Sequence, residues 1–244
     1  MQTIESVISS PWFLVAWAAL MLPSLAILLR DLKHNNTHLM SLMKVVWALT
    51  VVYSGPLGLL VYWRTGRKEI PDDHLWRRSF RSVAHCYSGC GMGEIVGLIL
   101  AVGLLRLGTT GTVAMTFAFA YAAGFALTVG PLVQGGTSKR QAMKDALISE
   151  TPSIFIMELV AITVDLTLAG DAGIGDVRFW SSLIVSLTCG LVAAYPVNVL
   201  LLHFGVKEGM MDPRMTDHGS HGHGHDHEDG GGHGQNHEQQ HAHG

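Results

Sequence analysis

The run His85-Cys86-Tyr87-Ser88-Gly89-Cys90-Gly91-Met92-Gly93-Glu94 places an imidazole, two thiols and a carboxyl inside one apolar stretch. Cys86, Cys90 and Glu94 are spaced by four and form one stripe on a regular helix. His85 points about 100° away from Cys86 on such a helix, so one ideal helix cannot converge all four groups. Two geometries stay open. In the first, Cys86 and Cys90 face neighbouring helices and a further ligand comes from another segment. In the second, Gly89, Gly91 and Gly93 let the run unwind, and thiols at the N-terminal end of the following half-helix are favoured as thiolate, the metal-binding form.

Other groups extend this set. Glu158 and Asp165 lie seven apart, two turns along one helix face, in a second apolar stretch that they share with no lysine or arginine. An acid at the centre of a bilayer costs about 2.5 kcal/mol or more on insertion scales, and such acids face a bundle interior or a watery cavity. Cys86, Cys90 and His203, completed by His85 or Glu158, suit a soft-to-borderline ion such as zinc or copper(I), with Met92 and Met157 as further thioether donors. Glu94 and Glu158 are the best candidates to carry a cation or proton through the bundle. The plainer alternative is that Cys86 and Cys90 are small hydrophobes filling space, as Cys189 is expected to do.

A separate metal signal closes the chain. His218, His221, His223, His225, His227, His233, His237, His241 and His243 are nine of its 14 histidines, set among Gly, Asp and Glu. A segment with so few apolar side chains cannot build a core and is expected to be disordered. Its neutral imidazoles make a loose chelator for nickel, zinc, cobalt or copper. The domain reading is therefore a transmembrane unit over 1–206 and a histidine-rich tail over 207–244.

The elements that must position these groups follow from composition. Of 244 residues 48% are hydrophobic and 14% charged, against about 25% charged in a soluble domain. So few charges cannot coat a globule. A net charge of -3 removes nucleic acid as a partner, since such binders carry a basic face. Three cysteines do not make a secreted disulfide framework. The first apolar run lacks a basic lead and a small-residue cleavage site, so it is read as a retained span.

A span needs about 20 mostly apolar residues. Six stretches qualify, giving an all-α polytopic bundle: 11–29, 45–63, 83–105, 111–133, 152–170 and 179–204. Counting Lys and Arg in the short loops puts both the N-terminus and the C-terminus on the cytoplasmic side of the inner membrane. Residues 71–80 are read as a short surface helix, and 138–150 as an amphipathic connector before Pro152 opens the fifth span. Small residues recur every fourth position at Gly89, Gly93 and Gly97, and at Ala114, Ala118, Ala122 and Ala126. Both stripes are read as helix-packing seams.

The run from His85 to Gly97, within such a bundle, resembles a family of uncharacterised bacterial and archaeal multi-pass membrane proteins. Its hallmark is His-Cys-x-x-Gly-Cys followed by a Gly-acid pair. His85, Cys86, Gly89, Cys90, Gly93 and Glu94 match, with Glu94 standing where aspartate is usual. The resemblance implies the membrane class and singles out this run; the family, a domain of unknown function, lends no activity.

The leading expectation is handling of a transition-metal ion (Cu, Zn, Ni or Co), as transport or delivery, rather than enzymatic catalysis. The partners are the lipid bilayer and metal ions, with a homo-oligomer left open. Two other classes compete. One is a thiol-disulfide redox protein, although the more reactive Cys-x-x-Cys spacing is absent. The other is a structural or assembly membrane protein with a metal-buffering tail.

Overall fold

The computed structural model describes residues 2–134, 136–210 and 212–214. The nine tail histidines lie outside them. Every regular element among the described residues is a helix. In chain order these are α1 (Gln2–Ile8), α2 (Pro11–His34), α3 (Ser41–Ser54), α4 (Pro56–Thr65), α5 (Leu75–Leu98), α6 (Thr109–Gln134), α7 (Lys139–Ala169) and α8 (Val177–His203). Helix α5 continues to Leu104 in wider turns, the Leu105 N–H reaching back five residues to the Leu100 carbonyl at 2.8 Å.

Five helices are long and apolar enough to cross a bilayer: α2, α5 with its extension, α6, α7 and α8. Their outer faces are apolar too, with Trp12 77%, Leu104 72% and Val192 62% exposed. A surface of that kind is solvated by lipid tails rather than water. The all-helical membrane class is therefore as the sequence implied.

The expected second span, 45–63, is instead two short helices that double back. A Cβ added to Gly58 would lie 2.6 Å from the Thr50 carbonyl oxygen. The Trp47 and Tyr62 ring centroids are 5.3 Å apart, whereas fifteen residues of straight helix would separate them by about 22 Å. The reversal sits at Gly55, whose φ of 55° and ψ of -128° suit only glycine. Pro56 then starts α4, at the position where its missing N–H costs nothing.

Irregular backbone at membrane depth is tolerated only where protein covers it. Here Trp17 of α2 lies over Gly55, 3.2 Å from an added Cβ. At the tip, the Ser54 hydroxyl donates to the Tyr87 hydroxyl at 3.1 Å, and the Tyr53 ring meets Tyr87 edge-on at 5.5 Å. The base is fastened by buried Asp31, which accepts from Asn35 (2.8 Å), Asn36 (2.9 Å), Tyr62 (2.6 Å) and Arg67 (3.2 Å).

With this hairpin entering and leaving by one face, the two described ends of the chain lie at opposite ends of the bundle. Glu5 pairs with Arg178 at the start of α8, 3.7 Å apart. At the other end, Arg81 donates to the Met210 carbonyl at 3.3 Å and His38 contacts the Pro213 carbonyl at 2.6 Å. The expectation that both termini share a side rested on counting 45–63 as a crossing. Lys207 and Pro213, beyond α8, are buried against the bundle.

Two connectors merge with the spans they precede. Helix α5 begins at Leu75 and runs unbroken through the His85–Glu94 run, so neither a separate surface helix nor an unwound segment forms. Helix α7 begins at Lys139, its Ser138 Oγ accepting the Gln141 N–H at 3.3 Å, and passes through Pro152.

The glycines of α5 explain why that helix stays regular: they serve close packing. A Cβ on Gly89 would meet the Gly124 Cα at 2.8 Å, one on Gly93 the Phe119 carbonyl oxygen at 2.3 Å, and one on Gly97 the Thr116 Cα at 2.8 Å. The seam predicted at Ala114, Ala118, Ala122 and Ala126 faces outward instead. The same four-residue spacing recurs at Thr116, Ala120 and Gly124, and that buried face receives α5. Spacing alone could not choose between the two stripes.

Candidate polar path through the bundle

On the face next to its glycine stripe, about 100° around the helix, α5 turns Ser82, Cys86, Cys90 and Glu94 toward the interior, all of them buried. Helix α7 answers with Glu150, Ser153, Glu158 and Asp165, which fall within about 140° of one another around that helix, and α8 supplies Asn198 and Ser182. Around them the walls are apolar, with Ile154, Met157, Phe179, Leu183, Leu187 and Leu191.

The groups connect in order of depth. Lys207, just beyond α8, donates to Glu150 Oε2 at 2.7 Å and to Asn198 Oδ1 at 3.1 Å. The same amide oxygen accepts from the Ser82 hydroxyl at 2.9 Å, while Asn198 Nδ2 donates to Ser153 Oγ at 2.6 Å. The Ser153 hydroxyl faces Cys86 Sγ at 3.8 Å, and Cys86 Sγ lies 3.9 Å from Cys90 Sγ. Glu158 is within electrostatic range of both Cys86 and Glu94. Glu94 is in turn within range of Asp165, which accepts the Ser182 hydroxyl at 2.8 Å. A polar line thus runs from the Lys207 end toward the opposite end of the bundle.

The middle of this line is the unusual part. Glu94 and Glu158 are each 0% exposed. None of their four carboxyl oxygens has a hydrogen-bond partner among the described residues. Burying a carboxylate without a partner is among the costliest placements a chain can make, unless a proton or a cation neutralises it.

The structure brings Cys86, Cys90, Glu94 and Glu158 to one interior but separates the two histidines from them. His85 is buried on the α6 side, within reach of the Leu127 backbone, and its Nδ1 is unpartnered. His203 is exposed at the last turn of α8, its ring edge-on to Phe204 at 5.1 Å. It is five residues from Asn198, which on a helix puts it well off the interior face. Met92 is 42% exposed and faces outward, while Met157 is buried against Gly190. Cys189 is half-buried and free. Consequently no three His, Cys, Asp or Glu side chains among the described residues are grouped to hold a metal ion. Of the groups expected to share a site, Cys86, Cys90, Glu94 and Glu158 face one interior, and His85 and His203 lie apart from them.

Sequence reasoning passed over Ser82, Glu150, Ser153, Asn198 and Lys207. The clue was Asn198, the one asparagine in the apolar run 179–204, since an amide in hydrocarbon seeks a partner on a neighbouring helix.

The family model described as Domain of unknown function (DUF4396) matches residues 75–207. That range takes in α5 to α8 and ends at Lys207, so it contains every member of the polar line. Comparisons with curated proteins and with solved structures gave no match.

Proposed function

The chain belongs to the DUF4396 family, a domain of unknown function, and from its own geometry we propose that it passes a transition-metal cation across the membrane along the interior line of thiols and carboxyls. The observation that carries this reading is the pair of fully buried, unpartnered carboxyls at Glu94 and Glu158 beside two adjacent thiols. A cation moving past them supplies the missing charge. A line of incomplete sites suits transit, because conduction needs binding strong enough to admit an ion and weak enough to release it. Cys86 and Cys90 favour a soft-to-borderline ion such as zinc or copper(I). The histidines from His218 to His243, which lie outside the described residues, gather such ions from solution.

Orientation follows from charge. All of the 16 Lys and Arg residues except Arg106 and Arg178 belong to the end of the bundle that holds the hairpin base and Lys207. Basic side chains accumulate on the cytoplasmic side, so we take that end as cytoplasmic, with the tail inside and α1 outside.

The test is zinc, copper(I), nickel or cobalt uptake into vesicles carrying the purified full chain and an enclosed indicator. Uptake should fall at least tenfold in Glu158→Gln and in the Cys86→Ser, Cys90→Ser pair. Uptake no faster than in empty vesicles for all four ions would reject the reading. A redox role has one observation in its favour, the 3.9 Å between the two sulfurs. A bond between them needs about 2.05 Å and an external oxidant. Thiols that stay fully alkylatable after diamide treatment would exclude it.

A further inference from the structure

The polar line has a cap, and the cap is itself a cation. Lys207 is 7% exposed and Glu150 2%. The ammonium does not come from a helix. Gly205, at a φ of 68°, reverses the chain after α8, and the N–H groups of Val206 and Lys207 turn back to the Leu201 carbonyl at 2.9 and 3.1 Å. This reversal points Lys207 into the bundle. The strap that follows runs back over the start of α5, held by Arg81 on the Met210 carbonyl, by His38 on the Pro213 carbonyl, and by Arg214 Nη1 on the Pro71 carbonyl at 3.5 Å.

The receiving groups belong to packed helices. Glu150 is on α7, Asn198 on α8, and the hydroxyls of Ser82 and Ser153 hold the amide from both sides. Around the ammonium stand a carboxylate and an amide oxygen, with two hydroxyl oxygens next to them, a donor set that suits a small cation as well as it suits a lysine. A buried ion pair is poor value as a stabiliser, since apolar replacements of the same size often do as well or better. Its position between the strap and the first buried thiol gives it another use.

We propose that Glu150 and Asn198, with Ser82 and Ser153 behind them, form a small-cation site at the cytoplasmic mouth of the path, occupied in this state by the chain's own Lys207 ammonium. A free cation and Lys207 compete for the same oxygens, so the path opens only when the strap lifts. The site deepens the transport reading above and rests on it for its use, but its existence is testable without any flux.

Removing the tethered ammonium should leave a vacancy that free cations fill. In the full chain in detergent micelles, Lys207→Ala is melted against rising methylammonium chloride, with sodium chloride at equal ionic strength as control. Methylammonium should raise its midpoint saturably, by roughly 3–6 °C at a tenfold excess over Kd for a chain of this length. The native chain and the Glu150→Gln, Lys207→Ala double variant, which carries no uncompensated charge, should not respond. Equal responses of Lys207→Ala and the double variant would overturn the proposal. Should Lys207→Ala be recovered unfolded, folded protein obtained only when methylammonium is present during extraction supports the site, and failure of that rescue refutes it. Absent ion uptake in vesicles with a positive rescue would sink the transport reading alone.

Discussion

Replacing Gly93 by alanine tests the claim that α5 can present its thiols and acids inward only because its other face lies directly on the α6 backbone. The added Cβ would stand 2.3 Å from the Phe119 carbonyl oxygen and 2.6 Å from the Ala120 Cα. These are main-chain atoms that no rotamer change can move. Restoring ordinary contact, about 3.5 Å, requires the helices to part by roughly 1 Å at this level. Overpacking of this kind costs about 1–3 kcal/mol, against a helix-propensity gain of about 1 kcal/mol for Gly to Ala. With main-chain atoms as the obstruction the cost belongs in the upper half of that range, about 2–3 kcal/mol, so a net loss of about 1–2 kcal/mol remains and lowers the melting midpoint by roughly 2–8 °C for a chain of this length. Gly130, also on α6, is the control for packing, because a Cβ there meets nothing of the surrounding helices within 4 Å, while Pro131 after it offsets the propensity gain by disfavouring helical backbone at a residue with a Cβ. The assay is thermal unfolding of both variants in the same detergent, with zinc uptake measured in parallel. Gly93→Ala should melt below both the native chain and Gly130→Ala, which should stay within about 2 °C of each other. Equal midpoints would refute the close-packed seam.

Glu94→Gln and Glu158→Gln should each leave the melting midpoint within about 2 °C of the native chain, because an unpartnered buried acid is exchanged for an amide of the same shape, while uptake collapses. A loss of stability without loss of uptake would make them structural residues. Asp31→Ala removes the acceptor of four side chains at the hairpin base and should cost about 3–5 kcal/mol, read as a lower midpoint and faster proteolysis between α4 and α5; an unchanged midpoint would mean the hairpin is held elsewhere. Ser9→Cys should react with an impermeant maleimide on intact cells and Glu69→Cys only after lysis, and the opposite pattern would reverse the orientation. Both sites are exposed, the native Cys86 and Cys90 are buried, and the half-buried Cys189 is replaced by serine beforehand to keep background labelling low.

Apolar runs were legible as helices because nothing but a helix satisfies its own backbone in lipid, and 83–105, 152–170 and 179–204 end within one residue of the ends of α5 with its extension, α7 and α8. The hairpin was not legible from hydropathy. Residues 45–63 read as one uninterrupted apolar run, and a proline after a glycine marks a kink as readily as a reversal. What decides is whether the chain finds cover at membrane depth, and that cover comes from Trp17 on α2 and Tyr87 on α5, far away in sequence. Of the site, the stripe of Cys86, Cys90 and Glu94 and its partner Glu158 were readable from helical spacing. Their continuation through Ser153 and Asn198 to Lys207 was not, because serines in membrane helices usually bond to their own preceding turn. Ser24 does so, donating to the Leu20 carbonyl at 2.8 Å, whereas Ser82 bonds across to Asn198.

The two halves of the motif are one mechanical object. Gly89, Gly93 and Gly97 occupy one face of α5, and Cys86, Cys90 and Glu94 occupy the face one residue around, about 100° away. The first face brings the α6 backbone close enough that the ideal Cβ of Gly124 would lie 2.8 Å from Cys90 Sγ. A helix that approaches so nearly leaves no gap for lipid or water behind the thiols. In a dry interior every charge interaction is stronger than in water, so the groups along α5 and α7 sense one another and any ion among them. The glycine stripe therefore seals the side of the path on which the acids and thiols are mounted. A substitution that parts the seam should loosen ion selectivity before it unfolds the bundle, because water admitted behind Cys90 weakens the contrast between a soft cation and a hydrated one.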